Sequence, residues 1–265
     1  MSAADLLALF DAEIRATEAD RIPSGLEHQT DGPVLRAMGE RRGFATLVAD
    51  AGGLAAAELA AVVDGTFAFF AERGLGFEWK TYDHDPPGLV PLLVAAGAVP
   101  EPRETLLLGE AGPLAQADPG LSGDLRLREV TARRDLESIG RMEDEVWGDG
   151  SRGWLADDLE RRLAGPGGLR IYVVEDAARD LVVSAAWLEP VLGTRAAGLW
   201  GGSTLAAYRG RGCYRALVAA RARAALEMGH DLLQVDATED SRPILERLGL
   251  VAVGGTTPYV AASPG

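Results

Sequence analysis

The 265-residue chain carries 26 lysines and arginines against 40 acidic residues, for a net charge of −14, and 47% of it is hydrophobic. That balance excludes general affinity for nucleic acid or an anionic membrane surface. A single cysteine, Cys213, excludes an internal disulfide framework and a thiolate metal cluster. The length suits two domains of about 130 residues each.

The opening Met1-Ser2-Ala3-Ala4-Asp5-Leu6-Leu7 lacks the basic region and apolar core of a signal peptide. No apolar run reaches the roughly 18 residues of a membrane span. The expectation is a soluble, cytoplasmic protein. Residues 2–16 read as an amphipathic helix, with Leu6, Leu7, Leu9, Phe10 and Ile14 on one face. A segment punctuated by Gly and Pro runs to Gly32, followed by candidate strands at 34–38 and 44–49. Residues 54–72 have helical spacing, and 77–82 alternate as a strand. Asp85-Pro86 signals a helix N-terminus with a cap and an early proline, ending at Gly97. Another strand spans 105–108. Residues 110–123 show no periodicity and mark the domain boundary, giving domains of 1–115 and 124–265.

The second half reads as a strand at 125–130, helices at 132–146 and 153–164, and a hairpin of 170–175 with 181–188. A strand at 196–204 leads into a helix at 212–228. A strand at 231–236, a helix at 241–248 and a strand pair within 250–262 complete it. An offset of 155 carries Gly229 onto Gly74 and Asp240 onto Asp85, so a helix, strand, helix, strand order occurs twice. The same offset carries 209–214 onto Leu54-Ala55-Ala56-Ala57-Glu58-Leu59, which has no arginine or glycine.

Arg209-Gly210-Arg211-Gly212-Cys213-Tyr214-Arg215 joins a strand to a helix. Its two glycines permit backbone N–H groups to converge, and the helix N-terminus adds donors. Five arginines between Arg209 and Arg223 invert the local sign of an acidic chain. Such a ring of donors suits a pyrophosphate; an ordinary Gly-rich turn with solvated arginines is the alternative.

This loop resembles the phosphate-binding loop of the GNAT superfamily of N-acyltransferases, and the element order of 124–262 is similar throughout. The resemblance implies an α/β fold of two GNAT-like domains in tandem, each a mixed, mostly antiparallel sheet flanked by helices, the first degenerate and without a phosphate cradle. It implies acetyl-CoA as co-substrate. Arg209 and the backbone of Gly210, Arg211, Gly212, Cys213, Tyr214 and Arg215 would hold its pyrophosphate. The backbone of Gly202, Ser203 and Thr204 would pair with its pantetheine amides. Four departures stand out. Tyr214 replaces a Gly or Ala of the loop. Thr238 and Leu245 stand where many members carry a cofactor-binding Asn and an acid Tyr, and Leu233 stands where a frequent base Glu falls.

Asp236, at the end of the strand beside the loop, and Glu189, at the end of the hairpin, are the candidate bases. Each has an ordinary strand-end carboxylate as its alternative. Glu143-Asp144-Glu145 could neutralise a cationic amine or simply form a solvated helix face. Trp147, Trp154, Trp187 and Trp200 could line the acceptor side or fill the core. Asp83-His84-Asp85 reads as a turn, and no metal is expected. The expected activity is acetyl transfer from acetyl-CoA to an amine, of a small cationic molecule, by a monomer with pseudo-dimeric halves or a homodimer. A non-catalytic acyl-CoA-binding protein is the alternative.

Overall fold

The computed structural model describes residues 1–22, 26–39, 42–48, 53–117, 120–148, 150 and 152–263. In chain order these form α1 (Ala3–Leu9), β1 (His28–Asp31), β2 (Val34–Ala37), β3 (Gly43–Leu47), α2 (Ala56–Ala71), β4 (Phe77–Tyr82), α3 (Leu89–Ala95), β5 (Val99–Pro100) and β6 (Glu104–Glu110). There follow α4 (Ala111–Ala115), β7 (Leu125–Val130), α5 (Arg133–Trp147), α6 (Leu155–Ala164), β8 (Arg170–Asp176), β9 (Leu181–Pro190) and β10 (Ala196–Thr204). The chain ends with α7 (Cys213–Glu227), β11 (Leu232–Ala237), α8 (Arg242–Arg247) and β12 (Val251–Ala261). Among the described residues no helix is long and apolar enough to cross a membrane.

Two compact units emerge: Met1–Leu107 with Asp236–Pro243 and Val251–Gly265, and Leu108–Val235 with Ile244–Leu250. The chain thus returns to the first unit near its end, which a cut within 110–123 does not anticipate. Backbone pairing explains the return. β12 is one long strand rather than a strand pair, and it lies antiparallel to β4 from Thr256–Tyr82 to Ala261–Phe77. Residues 111–115 also form a helix where the composition suggests none, and Arg223 Nε on α7 donates to the Ala115 carbonyl at 2.9 Å.

In the first unit β1, β2 and β3 pair antiparallel, β3 and β4 parallel, and β4 and β12 antiparallel. Alternation along β4 puts Phe77, Trp79 and Thr81 in the core and leaves Glu78, Lys80 and Tyr82 half-buried on the other face. Phe77 stacks on Phe70 of α2 at 4.5 Å between ring centroids. Burying each of these two rings contributes about 1.5–3 kcal/mol. α1 starts at a capping box, in which Ser2 Oγ accepts from Asp5 N–H and Asp5 accepts from Ser2 N–H. It continues into a π-helical turn, Phe10–Arg15, that delivers Arg15 to the interior. Arg15 donates to the Leu47 carbonyl at 2.8 Å, pairs with Asp85, and lies 4.6 Å from the Tyr82 ring. This corrects the reading of Asp85 as a helix cap. Its carboxylate takes Arg15 and the Tyr82 N–H, and α3 begins later, at Leu89.

The half-buried face of β4 carries a charged cluster. Lys80 pairs with Asp236, and Glu104 has its pKa pushed up to about 7 by burial first and by the Asp236 charge second. The fold therefore holds a proton on Glu104 that the unfolded chain releases above about 4.5. Stability from this group is full below that value and is lost as pH rises through about 7. Because the side chain is partly solvated, Glu104→Gln is expected to raise stability by about 1 kcal/mol at pH 8 and to leave it unchanged at pH 4. Urea denaturation at the two pH values checks this.

In the second unit β7, β8, β9 and β10 form antiparallel neighbours and β11 adds parallel to β10. The offset of 155 read from the sequence carries β4 onto β11 residue for residue. The parallel pair β3–β4 of the first unit likewise corresponds to β10–β11 of the second.

Candidate functional site

The second unit concentrates its irregular backbone at β10. Trp200 opposes Trp187 on β9, but the next recorded partner is Ser203 with Ala185, so Gly201 and Gly202 together face Ala186. Both glycines are left-handed, with φ of +78° and +68°. A Cβ on Gly201 would lie 2.5 Å from the Trp187 ring, and one on Gly202 would lie 3.0 Å from the Tyr214 ring. Only glycine fits this bulge. On the other side, pairing with β11 ends at Gly198–Gln234 while β10 runs on to Thr204, so the two strands part there.

Arg221 braces the bulge. It is 1% exposed on α7, and its Nη1 donates to the carbonyls of Trp200 at 3.1 Å and Trp187 at 3.4 Å. Burial pulls its pKa down to about 10, and among the described residues it has no carboxylate partner. Ser184 Oγ donates to the Ser203 carbonyl at 2.7 Å and bonds the Thr204 hydroxyl, which fixes the end of β10.

A single 3-10 turn (Ala206–Tyr208) then leads to the loop. The Tyr208 hydroxyl donates to Asp176 at 2.8 Å, and this bond, followed by that from Arg179, holds the Asp176 carboxyl below its ordinary value. Gly210 and Gly212 are left-handed at +74° and +86°. Gly212 is the N-cap of α7, and no side chain caps that helix. The N–H groups of its first turn, from Cys213 through Arg215, therefore have no intrahelical acceptor. Arg209 and Arg215 are exposed; Arg211 lies over the Tyr208 ring at 5.0 Å. The Cys213 side chain is buried against the Tyr208 carbonyl, and burial raises its thiol pKa, which makes it unreactive. Tyr214 turns its ring toward Gly202.

The corresponding helix of the first unit is built otherwise. The carboxylate of Glu58, in the first turn of α2, accepts from the Ala55 N–H at 2.8 Å. A negative charge of the chain itself thus sits at that helix end.

The two expected bases sit elsewhere. Asp236 belongs to the first unit, where its side chain is 4% exposed and pairs with Lys80. Glu189 lies opposite Gly198, outside the bulge, and pairs with Arg162 of α6 at 2.9 Å. Leu233 and Leu245 are fully buried and supply no acid or base. Among the described residues no cluster could hold a metal ion, and His84 instead bonds Arg15 and Asp11. Glu143, Asp144 and Glu145 do not form one solvated face. Glu145 is exposed, Asp144 accepts the Arg152 N–H at 2.7 Å, and Glu143 is buried with Oε2 accepting from Trp147 Nε1 at 2.7 Å. Neither Arg221 nor Glu143 announces its burial in the sequence, since each is a polar residue within a helical run.

No known family profile matches the chain, and no curated protein matches it by sequence. Solved structures do. A GCN5-related N-acetyltransferase from Kribbella flavida superposes with a TM-score of 0.71 at 19% identity, covering 96% of each chain. A tandem GNAT protein from the clavulanic acid biosynthesis pathway gives 0.62 at 15% identity, covering 100% of this chain and 98% of that one. A GCN5-related N-acetyltransferase from Sphaerobacter thermophilus gives 0.61 at 13% identity, with 100% and 95% coverage. The chain has the α/β fold of the GCN5-related N-acetyltransferases, including a tandem one, over nearly its whole length.

Proposed function

We propose that the protein transfers an acetyl group from acetyl-CoA to an amine, and that the donor binds the second unit. The observation that carries this reading is the parting of β10 from β11 directly before an uncapped helix N-terminus flanked by arginines. A diphosphate suits the loop, because Gly210 and Gly212 are left-handed, the first turn of α7 has no capping side chain, and Arg209, Arg211 and Arg215 supply charge. A pantetheine arm carries amides that suit the edge of β10 at Gly202, Ser203 and Thr204. The bulge then holds backbone dipoles in place where a thioester carbonyl would develop negative charge. The acidic chain favours a small cationic acceptor.

Arg209→Ala is expected to weaken acetyl-CoA binding by roughly 1–3 kcal/mol without loss of stability, since the side chain is exposed. Isothermal titration checks it, and an unchanged affinity would remove the loop as the pyrophosphate site. A second reading, acyl-CoA binding without catalysis, draws on the ion pairs that engage Asp236 and Glu189. Release of CoA thiol with any member of an amine panel would exclude it. Tight binding without turnover across the panel would favour it.

A further inference from the structure

We propose that Glu143 is the group that takes the proton from the acceptor amine, an assignment that rests on the acyl-transfer reading above. α5 places Glu143 and Trp147 one turn apart, and the indole N–H occupies Oε2 at 2.7 Å. The other oxygen, Oε1, is shielded from water and has no hydrogen-bond partner among the described residues. The whole residue is 4% exposed, whereas Trp147 above it is 54% exposed. A sealed carboxylate oxygen without a donor is rare and calls for a partner that the chain itself does not supply.

Its surroundings identify that partner. The Ser203 hydroxyl, next after the two glycines of the bulge, is near enough to pull the carboxyl pKa down but leaves Oε1 outside hydrogen-bond range, which puts Glu143 beside the strand end where the thioester would sit. The charged groups that act on it are Arg152 and Asp144. Burial outweighs the downward pull of Ser203, Trp147 and Arg152 and holds the carboxyl above its ordinary value. A carboxyl so placed is a stronger base than a solvated one and still exchanges its proton readily. An alkylammonium brings the missing donor, and it reaches the buried Oε1 once the exposed Trp147 indole above it swings aside. One N–H proton passes to Oε1, and the freed nitrogen lone pair attacks the thioester carbonyl carbon. The C–N bond forms, the C–S bond breaks with its electron pair going to sulfur, and the second proton lost from nitrogen passes to the departing CoA thiolate. Glu143 then returns its proton to solvent.

The experiment uses the full chain, acetyl-CoA and two acceptor classes: alkylamines, protonated at neutral pH, and arylamines, already neutral. Glu143→Gln keeps the shape and an acceptor for the Trp147 indole but removes the basicity. Expected is an unchanged acetyl-CoA affinity, an alkylamine kcat lowered about 100-fold, and an arylamine kcat lowered less than about 5-fold. Retained alkylamine turnover, or an equal loss with both classes, would overturn the assignment; the latter would make Glu143 a structural anchor for Trp147. Should the variant fail to fold, wild-type kcat against pH decides. An acid limb with alkylamines above the usual glutamate range supports the role, and its absence overturns it. Failure of the wild type to bind acetyl-CoA at all is a separate result, which sinks the acyl-transfer reading and this assignment with it.

Discussion

Asp236→Asn is expected to lower the unfolding free energy by about 3–5 kcal/mol, the range for stranding one partner of a buried pair. The Lys80 side chain is only 16% exposed and that of Asp236 4%. Burial alone would pull the lysine pKa down; the facing Asp236 carboxylate outweighs it and leaves the ammonium more firmly protonated than in water. The neutral amide removes that compensation and keeps the desolvation cost. For a chain of this size the loss corresponds to a drop in Tm of roughly 10 °C. Thermal and urea denaturation measure it. Replacing both partners, as Lys80→Met with Asp236→Asn, is expected to recover most of the loss, because no charge then remains to be solvated. The Asp236→Asn variant also tests Asp236 as a base. A base would cost turnover with stability intact, whereas an ion pair costs stability and leaves turnover per folded molecule near wild type.

Gly201→Ala is expected to destabilise by about 2–5 kcal/mol and to weaken acetyl-CoA binding at least about tenfold. Two costs add. A side chain at φ of +78° costs about 1–2 kcal/mol. The new methyl would also stand 2.5 Å from the Trp187 ring, an overpacking worth about 1–3 kcal/mol. Relief would require Trp187 to move or the bulge to flatten, and either alters the strand end proposed to receive the pantetheine arm. Gly210→Ala is the control. Its φ of +74° imposes similar strain, but nothing lies within 4 Å of the added carbon. Equal losses of stability at the two positions, by denaturation, would mean that steric closure at the bulge is unimportant.

The sequence made legible what depends on local pattern. The strand 196–204 coincides with β10, and the offset of 155 carries one half's strand onto the other's because alternation and helix length repeat. The turn from β10 into α7 was legible because Gly210 and Gly212 mark a left-handed backbone before a helix. What stayed hidden depends on partners remote in the chain. Asp236 meets Lys80 156 positions away, and Asp85 meets Arg15 70 positions away, so neither carboxylate had the role its neighbours suggested. β12 reads as two strands because Gly254, Gly255 and Pro258 interrupt the pattern, yet it forms one strand, Val251–Ala261, whose second half pairs with β4 and β5. Arg221 looks like one more basic residue near the loop. Its burial follows from carbonyls that the bulge leaves facing α7.

The Glu58 carboxylate at the start of α2 gives the two units different dependences on their surroundings. The positive end of α2 is neutralised by covalently attached charge, at an effective concentration no solute reaches. The matching end of α7 has no capping side chain, so on the proposed function an incoming anion would neutralise it. On that proposal the stability of the second unit would rise with the concentration of its ligand, while that of the first would not.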